Sequence, residues 1–202
     1  MKKKLFNRLV VTSMMCVFVQ LLSAQDKLQY EPSIDPLVKG EEYLNEGEYE
    51  QAFEQFDKVH EGDSLFFRYA VHLKMAALNR MEDYSRAKAI GDKYWYFRHE
   101  LPTEFYLNYG TALDKLEKYD EAQDMYESIL KEYPLNYSLW YNLGISHSLE
   151  GDHEKAYETF KKTIEVNPFY DRVHLGMARL AFAEQQTSKR IFAVCRYLMH
   201  SI

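Results

Sequence analysis

The chain has 202 residues, which fits a single domain, and its formal net charge is −6. Four of its 25 Lys and Arg residues lie in the first 24 positions; beyond these the charge is −10, and residues 25–170 alone carry −13. An acidic body of this kind excludes nucleic acid as the ligand, because phosphates need a basic footprint, and it favours basic partners.

Met1 to Ala24 reads as a cleaved secretory signal. Lys2, Lys3, Lys4 and Arg8 precede the apolar run Leu9 to Leu22, and the small Ser23 and Ala24 precede the polar Gln25. The run is shorter than the roughly 20 residues that span a bilayer, so cleavage after Ala24 is favoured over an anchor. The reading therefore places the chain in the periplasm or cell envelope, or outside the cell. Lipid attachment at Cys16 is disfavoured, because Met14 and Met15 stand where small residues are needed. Loss of this segment leaves Cys195 alone, so no intrachain disulfide forms. Its apolar neighbours Phe192, Val194 and Leu198 argue for a buried thiol, with an intermolecular bridge as the alternative.

Residues 25–36 hold Pro32 and Pro36 without periodicity and read as an extended lead-in. From residue 37 the apolar spacing is helical throughout. Leu37 to Leu44 and Tyr49 to Val59 form a first pair about a turn at Gly47. Leu65 to Leu78 and Tyr84 to Phe97 form a second, its second helix ending in the aromatic run Tyr94-Trp95-Tyr96-Phe97. Successive residues on a helix point about 100° apart, so one or two of these rings are expected at the surface, as interface anchors or under a folded-back repeat end.

Two matched rows follow. Gly110 and Gly144, Ala122 and Ala156, Tyr126 and Phe160, and Pro134 and Pro168 stand 34 residues apart. Ala52 and Ala87 extend the alanine register toward the N-terminus at a spacing of 35. A fixed period of this length marks stacked helix pairs that share one interior. The expected units are 37–66, 67–102, 103–136, 137–170 and 171–202. The last, with a second helix over Ser188 to His200, ends in an apolar stretch. The fold class is all-α, a right-handed solenoid of antiparallel helix pairs. The glycines and alanines allow close helix approach, and the large residues fill the space between, each stabilising by roughly 1.5–3 kcal/mol when buried.

These residues resemble the tetratricopeptide repeat family, in its exported bacterial form. Trp140, Leu143, Gly144, Ala156, Phe160 and Pro168 carry the resemblance in one row, with Tyr106, Tyr109, Gly110, Ala122, Tyr126 and Pro134 in the row before. There are departures: Gly91 stands where the family has a bulky residue, Arg190 where it has Ala, and His99 where it has Pro. The resemblance implies a concave groove lined by first helices, and hence a protein or peptide partner. Carried over by position, the groove takes Tyr69, His72 and Asn79, then Leu107 and Thr111, then Tyr141 and Ile145, then Arg172, Leu175 and Arg179.

No catalytic constellation stands out, and no cofactor or metal is expected. The seven histidines are scattered, none in His-Glu-x-x-His, and no cysteine pair offers a zinc site. His60-Glu61-Gly62-Asp63 lacks calcium-loop spacing and reads as a solvated turn. The expectation is a non-enzymatic scaffold gripping a partner in the groove. The rival readings are an assembly subunit docking through its apolar last helix, and an accessory protein for polysaccharide or lipid.

Overall fold

The structure is a computed structural model that describes residues 24–62 and 64–183. The expected signal up to residue 23, the helix expected over Ser188 to His200, and Cys195 lie outside the described residues. In chain order the helices are α1 (Ala24–Glu46), α2 (Tyr49–Asp57), α3 (Ser64–Arg80), α4 (Tyr84–Tyr94), α5 (Thr103–Lys115), α6 (Tyr119–Glu132), α7 (Tyr137–Glu150) and α8 (His153–Val166). A further helix, α9, covers 171–183. A 3-10 segment, Trp95–Glu100, follows α4. No strand occurs among the described residues, and none of their helices is long and apolar enough to cross a membrane.

The chain divides into two compact units between Ala77 and Leu78, inside α3. In the first, α1 packs on α2. Leu37, Ala52, Phe56, Val59, Ala70, Leu73 and Ala77 make its core, with Tyr43, Phe53 and Phe66 at the margin. Gly40 lies against Phe56: a Cβ on the glycine would come within 2.4 Å of the ring.

In the second unit each helix packs on the next, from α4 to α8, and α5 also meets α7 directly. The first helices α5 and α7 thus form one layer, and α4, α6 and α8 pack outside them. Phe105, Leu113, Tyr126, Ile129, Leu139 and Phe160 are buried between the layers. The sterics expected of the small positions are seen at two of them. A Cβ on Gly110 would sit 2.0 Å from the Tyr126 hydroxyl, and one on Gly144 2.6 Å from the Phe160 ring. Ala122 and Ala156 are fully buried, as are Leu143 and Phe160 within a few per cent. Trp140 is half-buried and its indole N–H donates to the Pro134 carbonyl at 2.8 Å, tying the start of one repeat to the end of the previous one. Pro134 and Pro168 are exposed at the turns, where they stop α6 and α8.

Three expectations need correction. The lead-in 25–36 is not extended, because α1 runs through Pro32 and Pro36. A helix-interior proline removes an amide donor, at a cost of roughly 3 kcal/mol, yet the buried face at Leu37 and Gly40 fixes the helix axis from which these turns continue. The division at 66/67 falls within α3, which starts at Ser64. The aromatic run is not the end of an α-helix, because α4 stops at Tyr94 and the chain tightens into the 3-10 turn. The Tyr106 hydroxyl donates to the Arg98 carbonyl and holds that turn against α5.

Candidate functional site

The predicted groove residues fall into three kinds. Those in the first unit are engaged there. Tyr69 hydrogen-bonds Glu41, a carboxyl whose pKa burial raises, and meets buried His72 edge-on at 4.7 Å.

In the second unit several are structural. Asn79 donates through Nδ2 to the Asn108 carbonyl at 2.9 Å, fixing the end of α3 to α5. Thr111 turns its hydroxyl back to the Leu107 carbonyl at 2.7 Å, and both residues are half-buried. Tyr141 is only 6% exposed and belongs to the core with Ala156, Phe160, Val173 and Leu180, with Ile145 packed beside them. Its ring lies 5.8 Å from Phe160 and 5.3 Å from Tyr170.

The third kind is available to a ligand. Arg172 is exposed and its guanidinium sits over the Tyr141 ring at 5.4 Å. Leu175 is 54% exposed, and Arg179 is exposed one turn further along α9. The structure therefore brings Tyr141 and Arg172 together and leaves Leu175 and Arg179 on an open helix.

A buried polar contact between α5 and α7 was not anticipated as such. Asp114, 8% exposed, accepts a hydrogen bond from the Ser146 hydroxyl at 2.6 Å. Burial pushes its carboxyl up to about 6, and the Ser146 bond opposes that only in part. Tyr126 packs inside the same unit, fully buried, with no hydrogen-bond partner for its hydroxyl; burial and then Asp114 push its pKa up. The carboxylate could be named from the sequence as a first-helix residue, but its pairing with Ser146, 32 residues on, is a tertiary fact.

A second unanticipated feature lies between α4 and α6. A cleft of about 440 Å³ is lined by Asp92, Trp95, Tyr109, Glu121, Asp124 and Met125. A Cβ on Gly91 would fall 2.2 Å from the Tyr109 ring, so Tyr109 fills the space that a side chain at 91 would need. The Tyr109 hydroxyl donates to Asp92 at 2.5 Å, and Lys88 donates to the same carboxylate at 2.8 Å. Burial raises the Asp92 pKa, but these two bonds outweigh it and hold the carboxyl below its usual range. The Gly91 departure was the sequence signal for this feature. The adjoining 3-10 turn leaves Tyr96 83% exposed and Phe97 half-exposed, stacked edge-on at 5.4 Å.

The described residues hold no group of three His, Cys, Asp or Glu side chains placed to bind a metal ion. In the second unit, antiparallel helix pairs recur at a 34-residue period with an aromatic ring seated on a glycine in α5/α6 and in α7/α8, which defines a helical-repeat protein. Residues 107–171, about a third of the chain, match the tetratricopeptide repeat model. The chain is 33% identical over 89 residues to the BBSome complex member BBS4 of Mus musculus, covering 43% of this chain and 15% of that protein. It is 37% identical over 78 residues to the photosystem I assembly protein Ycf3 of Cuscuta gronovii, covering 37% of this chain and 45% of that one. The chain thus spans less than half the length of either relative. Among solved structures it resembles residues 41 to the end of MamA from Desulfovibrio magneticus RS-1, with a TM-score of 0.61 and 20% identity over 85% of this chain and 97% of that one. It also resembles YrrB, described as a TPR protein with an unusual peptide-binding site, at a TM-score of 0.59 and 17% identity over 85% and 88% of the two chains.

Proposed function

We propose that the chain is a non-enzymatic scaffold of the cell envelope that holds a peptide or protein partner against the first helices of its second unit. One observation carries the reading: Arg172 is held over the Tyr141 ring, with Leu175 and Arg179 open beside it on α9. A cation fixed on an aromatic face next to an exposed leucine offers an extended chain both a charge and an apolar contact. Because the surrounding helices are packed, the partner alone loses conformational freedom on binding. The relatives support the class of function, since BBS4 is a member of a complex and YrrB has a peptide-binding site. The order of basic, apolar and small residues in the first 24 positions supports export.

The test is crosslinked capture from the native envelope. Arg172→Glu with Leu175→Asp changes only exposed side chains, so helicity is retained by circular dichroism while capture drops at least tenfold. Tyr141 is left unchanged because it is core. Undiminished capture by the double variant removes the groove reading. Export is checked separately by the N-terminus of the mature protein, expected at Gln25.

A further inference from the structure

The cleft between α4 and α6, floored in part by Tyr109 of α5, is lined by none of the predicted groove residues, and its chemistry points to a different ligand. Its floor is apolar: Tyr109 and Met125 are buried, and Trp95 stands half-buried as a wall. Its rim carries Asp92, Glu121 and Asp124. Two of these carboxylates are already neutralised within the chain. Lys88 lies 2.8 Å from Asp92 and 3.4 Å from Glu121, and Lys118 also pairs with Glu121. Asp124, exposed on the same rim, has no ion pair among the described residues. The cleft therefore offers one uncompensated negative charge above an aromatic and thioether floor.

We propose that this cleft binds a single cationic side chain, lysine or arginine, presented by a basic peptide segment of a partner. The long stems of these residues lie along apolar surface while the head reaches a carboxylate, and aromatic faces attract the cation. The molecule already uses that pairing beside the cleft, where the Arg98 guanidinium sits 5.3 Å from the Trp95 ring. The volume is within the range of small-ligand sites, and the −13 charge of residues 25–170 draws basic chains toward it. An anionic or purely apolar side chain would leave Asp124 uncompensated or repelled.

The site is independent of the groove. Trp95 reports on it directly, because the chain has two tryptophans and the other is Trp140. In the full chain, the Trp95 indole N–H resonance, assigned by its loss in Trp95→Phe, is followed during titration with three peptides. These are acetyl-Gly-Lys-Gly-amide, its Arg counterpart, and its norleucine counterpart, which keeps the stem and lacks the charge. The lysine and arginine peptides are expected to shift the resonance saturably and the norleucine peptide not to. The tighter of the first two identifies the preferred head group. Asp124→Asn, an exposed change, should weaken binding about fivefold, which is the size of one surface charge pair, and Arg172→Glu should leave it unaltered. Absence of a shift with either cation, an equal response to norleucine, or an unchanged titration in Asp124→Asn overturns the proposal.

Discussion

At the scale of single residues, the energetically exposed point of the molecule is Asp114. Its carboxyl is buried with one hydrogen bond, from Ser146, and burial raises its pKa to about 6, against about 3.9 in an unfolded chain. The folded state therefore favours the protonated form. The resulting stabilisation is complete below about pH 4 and is lost as the pH rises through about 6. The difference between these two values corresponds to about 3 kcal/mol. Asp114→Asn keeps an acceptor for Ser146 and cannot ionise. Urea unfolding of the two proteins should therefore diverge by about that amount, in favour of the variant, between about pH 4 and pH 7.5. A constant difference across the range would mean that the carboxyl titrates as if in water. The Tyr126–Gly110 contact is a second tight point, because an added methyl at 110 would collide with a ring that has no room to turn.

At the scale of elements, the turns between paired helices share a backbone that their residues do not. The left-handed conformation recurs at Gly47, Glu82, Glu117 and Gly151, with φ of 86°, 61°, 59° and 95°. These positions are spaced 35, 35 and 34 residues apart, so the geometry obeys the repeat even where glycine is missing. A Cβ costs roughly 1–2 kcal/mol in that region. Part of this is returned by the stiffer unfolded chain. Glu117→Gly should accordingly raise stability by about 0.5–1 kcal/mol, seen as a higher urea midpoint with unchanged slope; a lower midpoint would show that Glu117 contributes something the backbone does not reveal. Helix starts vary in the same way. Asp83 and Asp152 accept from the amides of Arg86 and Lys155 and cap α4 and α8, whereas Lys118, in the same register, begins α6 without a side-chain cap.

At the scale of the molecule, charge decides which partners can approach. Residues 25–170 carry −13, and the surface lysines are largely spent on neighbouring acids, as in the pairs Lys155–Asp152, Lys161–Glu158 and Lys162–Glu165. The chain should therefore fail to retain duplex DNA in a filter assay even at about 50 mM salt, where phosphate contacts are strongest. Retention there would show a basic face that the charge count hides. Capture of a basic partner should weaken with added salt, because the attraction acts over a Debye length of about 10 Å at 0.1 M.

The division between what was legible and what was not follows from the range of the forces involved. Helix existence and the repeat are written in apolar spacing and side-chain size, whereas the seating of Gly110 on Tyr126 and of Gly144 on Phe160 is seen only in the structure. Which first-helix positions stay exposed was not legible, because Tyr141 and Leu175 stand at the same register, 34 residues apart, and packing against Phe160 and Tyr170 makes the first core while the second is 54% exposed. The 3-10 turn at Trp95–Glu100, the Asp114–Ser146 bond and the cleft beside Gly91 were likewise decided in three dimensions. Each depends on a side chain from another helix, and local periodicity carries no information about the neighbour that fills, or leaves open, the space in front of it.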